Sequence, residues 1–123
     1  MKKIMLLLIC CFTLFALAGC DSAVGTWKFY EKTTDIAGYV KTIKVGEKDT
    51  LGKDVTEDYM VVVFEKDGTG TLTQTYVDGS FTFTWEEVDG VIKVTGNFVN
   101  FDAKIEKGYL IFDYAGGTYK LKK

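Results

Sequence analysis

The feature that most limits what this chain can become is a series of turn-forming pairs set at short intervals through its second half. Asp67-Gly68, Asp78-Gly79, Asp89-Gly90, Gly96-Asn97, Lys107-Gly108 and Gly116-Gly117 separate segments of four to nine residues in which apolar and polar side chains alternate. Such pairs supply the positive φ that tight hairpin turns require, so each marks a reversal between antiparallel strands. Alternation with a period of two is the pattern of a strand with one buried face.

The strands predicted in this way cover residues 25–31, 37–45, 59–65, 69–77, 80–88, 91–95, 98–106, 109–114 and 118–121. The second is the weakest, with only Tyr39, Ile43 and Val45 in phase. Residues 46–58 are polar and charged, and read as a loop holding at most a turn of helix. It is the longest connection, and long loops are often where function sits. Consecutive strands joined by short turns form an up-and-down meander, and closing the sheet removes both exposed edges. The expected fold is therefore all-β: an antiparallel meander closing into a small barrel of about 8–9 strands.

The first nineteen residues have a different character. Lys2 and Lys3 precede an almost unbroken apolar run over 4–18, and the small residues Ala18 and Gly19 lead to Cys20. This is the layout of a cleaved secretory signal, expected as a signal helix ahead of the barrel. A transmembrane span needs about 20 apolar residues, and this run is shorter. The expected organisation is a signal peptide at 1–19, a tether at 20–24 and one domain at 25–123, since about a hundred residues suffice for one core.

Composition then removes several function classes. Without the leader, thirteen lysines face seventeen acids, a formal charge of −4, and histidine, arginine and proline are absent. Nucleic acid calls for a basic face, so no nucleic-acid partner is expected. After Cys20 there is no further cysteine for a disulfide. Without histidine, and with only Ser22 and Ser80 as serines beyond the leader, the usual nucleophile–base pair cannot be assembled. Zinc lacks its preferred ligands. Residues 65–70 look like part of an EF-hand loop, but aligning Gly68 to the loop glycine puts Val63 and Gln74 at the ligand positions. The acid clusters Asp54, Glu57, Asp58 and Glu86, Glu87 read as solvated surface. No enzymatic activity, metal or cofactor is expected.

Two resemblances add to this reading. Leu17-Ala18-Gly19-Cys20 resembles the lipobox of bacterial lipoproteins at every position. That implies a diacylglycerol on the Cys20 sulfur, cleavage ahead of it, and anchoring to the bacterial cell membrane. Asp21 resembles a signal for retention at the inner membrane; either way the expected location is the extracytoplasmic face. Gly25-Thr26-Trp27, opening the meander, resembles the Gly-x-Trp signature of lipocalins, in which the tryptophan closes one barrel end beside an arginine that this chain lacks. With residues 64–72, Phe83-Thr84-Trp85-Glu86 and Thr118-Tyr119-Lys120-Leu121, the domain resembles small lipocalin-like lipoproteins of gut bacteria. This implies a barrel with Trp27 at its closed end.

The apolar phases carry Phe29 and, as candidate interior ligand-binding residues, Phe64, Phe81, Phe83, Trp85, Phe101, Phe112 and Tyr114. Two expectations follow. In the first, these rings line a calyx for a small apolar ligand. In the second, they fill the barrel, and the domain is a scaffold binding a protein or glycan through the 46–58 loop or a sheet edge.

Overall fold

The computed structural model describes residues 23–123. The signal helix, the 1–19 leader, Cys20 and Asp21 lie outside the described residues. Nine strands follow: β1 (Gly25–Ile36), β2 (Tyr39–Lys44), β3 (Met60–Phe64), β4 (Thr69–Gln74), β5 (Val77–Val88), β6 (Val91–Thr95), β7 (Asn100–Glu106), β8 (Tyr109–Tyr114) and β9 (Gly117–Lys122). Strands β3 to β9 pair consecutively and antiparallel, and β1 pairs with both β3 and β9. This closes an eight-stranded antiparallel barrel, with β2 as an extra strand.

Strand β1 organises the closure. Its first residues, Gly25 to Lys28, pair with β3, and Lys28 to Thr34 pair with β9 on the other edge. Beyond β3 the chain runs on through Ile36, and Glu31 to Ile36 pair with β2. The β1–β2 hairpin therefore extends past the barrel wall, with a free edge on β2. Lys41 and Lys44 on that strand blunt the edge, as charged side chains commonly do.

The β1–β9 register shifts between Phe29 and Glu31. This bulge puts Tyr30 and Glu31 together on the outside, so Lys32 and Thr34 return to the inner side. The end nearest Gly25 also holds the β3–β4, β5–β6 and β7–β8 turns. The opposite, open end holds the β4–β5, β6–β7 and β8–β9 turns, the β1–β2 hairpin tip and the 45–59 segment.

Several turns fall where the glycine pairs predict. Asp89-Gly90 and Lys107-Gly108 have both residues at positive φ, the geometry that matches the twist of paired strands. Four positions differ. Between β6 and β7 the reversal takes residues 96–99, because Thr95 pairs with Asn100, so Phe98 lies in the turn and not in a strand. Ala37-Gly38 forms the β1–β2 turn instead of starting a strand. The β8–β9 turn is Ala115-Gly116, and Gly117 belongs to β9. Between β4 and β5 the turn is Thr75-Tyr76, because Gln74 pairs with Val77. Asp78-Gly79 lies inside β5, where the register jumps to Thr73 opposite Ser80; Gly79, at φ +80°, absorbs the extra residues as a bulge.

The core sits inside the barrel. Trp27, Phe29, Met60, Val62, Phe64, Leu72, Phe83, Ile92, Val94, Phe101, Ala103, Leu110, Phe112, Tyr119 and Leu121 are all buried on inward phases. Trp27 lies at the end where the described chain begins, and its indole N–H donates to the Ala23 carbonyl at 2.8 Å. The Lys123 ammonium lies 5.0 Å from the centre of its ring. The lysine that follows β9 thus sets a cation over this ring.

Candidate functional site

The predicted interior residues do converge. Phe64, Phe83, Phe101 and Phe112 are buried, while Phe81, Trp85 and Tyr114 are half-buried against them. Their ring contacts fall into two groups, with Phe81 apart from both and against Phe98 at 5.9 Å. Phe101 and Phe112 stack at 4.1 Å between centroids, and Phe112 stacks on Tyr119 at 5.6 Å. Phe64 meets Phe83 at 5.6 Å and Trp85 at 5.2 Å, both edge-on. Trp85 also ties β5 to the β3–β4 turn, because its indole N–H lies 3.0 Å from the carbonyls of both Glu65 and Thr69. Burial pushes the Tyr119 hydroxyl up to about 12, with the nearby Tyr114 adding to the shift.

A cleft of about 280 Å³ opens at the other end. One wall is the inner side of the β1–β2 extension. Lys32 is the register partner of Ile43 and Thr34 that of Lys41, and opposed residues share a face. All four line the cleft. Asp49, Thr50 and Leu51 of the long loop line it as well, and Tyr59 and Tyr76 complete the lining. Tyr59 is seated on Phe29 at 4.7 Å and meets Tyr76 edge-on at 6.1 Å.

The loop forming the far wall is built, not slack. Gly46 N–H donates to the Val55 carbonyl and Val55 N–H to the Glu47 carbonyl, and Val55 itself is buried. Lys48 and Asp54 pair at 2.7 Å. One Asp49 carboxylate oxygen accepts from the Leu51 and Lys53 amides, both at 2.9 Å, and the other accepts from the Tyr76 hydroxyl. The Tyr76 bond first, then the Lys53 amide, hold the Asp49 carboxyl below the usual carboxylate range. The same bond pushes Tyr76 up to about 12. Lys32 lies 5.2 Å over the Tyr119 ring. Neither Lys32 nor Lys41 belongs to the three ion pairs found among the described residues.

The rim of this end is apolar. Of nine large apolar side chains exposed among the described residues, Ile36, Tyr39, Val40, Leu51, Tyr76, Val77 and Phe98 surround the open end. Val45 starts the loop, and Val88 alone lies at the Trp27 end. A wider, open concavity of about 560 Å³ runs over β6 and β7, but Lys93 and Asp102 there neutralise each other at 3.4 Å.

The chain matches no protein-family model, no curated protein and no solved structure. The closed eight-stranded barrel is itself consistent with a lipocalin-like fold.

Of the cleft, the sequence marks the 46–58 loop but not Lys32, Thr34, Lys41, Tyr59 or Tyr76. A trace of the first two is present. The apolar phase of Trp27 and Phe29 breaks at Glu31, the mark a bulge leaves when it turns the next residues over. Tyr76 gives no such trace, since its place depends on where the β4–β5 turn falls. Asp54, Glu57, Asp58, Glu86 and Glu87 are exposed.

Proposed function

We propose that this protein is a lipid-anchored, non-enzymatic lipoprotein of the lipocalin-like kind, held through Cys20 on the extracytoplasmic face of a bacterial membrane. It engages its partner with the open end of the barrel. The observation that carries the reading is the concentration of exposed apolar side chains around the mouth cleft. Apolar patches of this kind mark interaction sites, and a cleft near 300 Å³ with a few convergent polar groups fits a small ligand or one protruding group of a larger one. The interior rings, by contrast, are in contact with one another. This favours the filled-barrel scaffold, working through the 46–58 loop, over the calyx.

The test uses an apolar, environment-sensitive fluorophore and residues 23–123, which contain every ladder that closes the barrel. Binding with a Kd on the order of 1 μM, or about −8 kcal/mol, is expected. Leu51→Asp should abolish it and Phe83→Leu should leave it intact. The reverse pattern would return the site to the barrel interior. For the anchor, labelling with a radioactive fatty acid should mark the wild-type protein and not Cys20→Ser.

A further inference from the structure

The outer wall near the Trp27 end carries a feature that neither the core nor the cleft uses. On β1, β9 and β8, the side chains of Lys28, Tyr30, Lys122, Lys120 and Tyr109 form one strip. Tyr30 and Tyr109 lie 5.1 Å apart between ring centres. The Lys122 ammonium is 5.1 Å from the Tyr30 ring and 6.0 Å from that of Tyr109, and Lys120 is 5.1 Å from Tyr109. Lys28 and Lys122 are direct register partners. Like charges set opposite each other on a sheet are destabilising, a cost that the ring contacts of Lys122 offset in part. None of the three lysines joins an ion pair found among the described residues. Two acids stand in register with the strip, Glu31 opposite Lys120 and Glu106 opposite Tyr109, and Glu31 lies 3.9 Å from Lys44.

The second observation is where the chain joins the barrel. Ala23 is buried and accepts the Trp27 indole N–H, so the start of the domain is pinned to this end. Cys20 stands three residues upstream, and three residues span at most about 11 Å in any conformation. If Cys20 is lipidated, as the proposed function holds, the strip lies within reach of the headgroups. The acids Asp67, Glu86, Glu87 and Asp89 stand across the barrel on the β3–β6 side.

We propose that this lysine–tyrosine strip is the membrane-facing surface of the domain, resting on the phosphates of an anionic bilayer. Lysine attraction to such a surface acts within a Debye length of about 8–10 Å, an approach that a tether this short permits. Tyrosine suits the headgroup level, with an apolar body and a polar tip. The barrel then leans with β1, β9 and β8 toward the lipid, and the open end points away from it.

The experiment uses the mature lipoprotein in vesicles of phosphatidylcholine alone or mixed with phosphatidylglycerol. Amine acylation read by mass spectrometry reports which lysines are covered. Lys28, Lys120 and Lys122 should be protected about fivefold or more in the anionic vesicles, with the protection lost in roughly molar salt, where screening is nearly complete. Lys41 should react equally in both. Equal reactivity of the strip in both vesicle types would overturn the proposal, as would protection of Lys41 instead. Failure of the anchor has a different signature, namely no association with neutral vesicles. The strip is then read on residues 23–123 by sedimentation with anionic vesicles. Binding that falls about tenfold in the Lys120→Glu, Lys122→Glu double variant supports the proposal, and binding unchanged by it, or absent in both, refutes it.

Discussion

Gly70 is buried where the ring of Phe83 crosses β4. A Cβ there would sit 2.3 Å from Phe83 Cε1 and 2.4 Å from the Val63 carbonyl oxygen, closer than atoms can approach. Gly70→Ala should therefore cost about 1–3 kcal/mol or more, the range for overpacking a tight core, measured by denaturant melts. Adding Phe83→Leu should recover only part of that loss, because the carbonyl is backbone and stays in place. At Tyr119 the expectation concerns alkali. Its hydroxyl has a raised pKa in the folded state, so its neutral form is the one folding favours. That contribution is complete below the ordinary value of 10.0 and is lost as pH rises toward about 12. The stability difference between wild type and Tyr119→Phe, followed by melts from pH 9 to 12, should change over that window and be flat below it. A flat difference throughout would mean that Tyr119 is not held neutral by its surroundings.

Strands and their inner faces were largely readable from the sequence, because a two-residue period with glycine-containing turns leaves little choice of fold. Trp27, Phe64, Phe83 and Phe112 fall inside as their phases predict. The misplaced features share a cause. Which pair makes the turn and which makes a bulge depends on cross-strand register, and Asp78-Gly79 has the composition of either. The same dependence hid the mouth. The bulge at Tyr30 turns Lys32 inward, and the shifted β4–β5 turn brings Tyr76 to Asp49 across twenty-seven residues. This last contact fixes the loop. Tyr76→Phe removes it, and hydrogen exchange at the Leu51 and Lys53 amides should quicken by roughly threefold or more while the barrel strands stay unchanged. An unaltered loop would show that its own hydrogen bonds suffice.

Taken from end to end, the barrel is asymmetric along its axis. One end holds Trp27, the Lys123 cation and the start of the described chain at Ala23. The other gathers the exposed apolar rim, the long loop and the cleft. With the anchor at Cys20 proposed above, a domain held by its Trp27 end and apolar at the other presents that other end as its free one. Ligands should therefore meet this free end and not the packed interior. Amide and aromatic NMR shifts of residues 23–123, followed during titration with the apolar fluorophore, distinguish the two places. Lys41, Ile43, Leu51, Tyr59 and Tyr76 should shift together while Phe64, Phe83 and Phe112 hold still. Saturable shifts confined to those three interior rings would place the ligand inside the barrel and overturn the free-end reading.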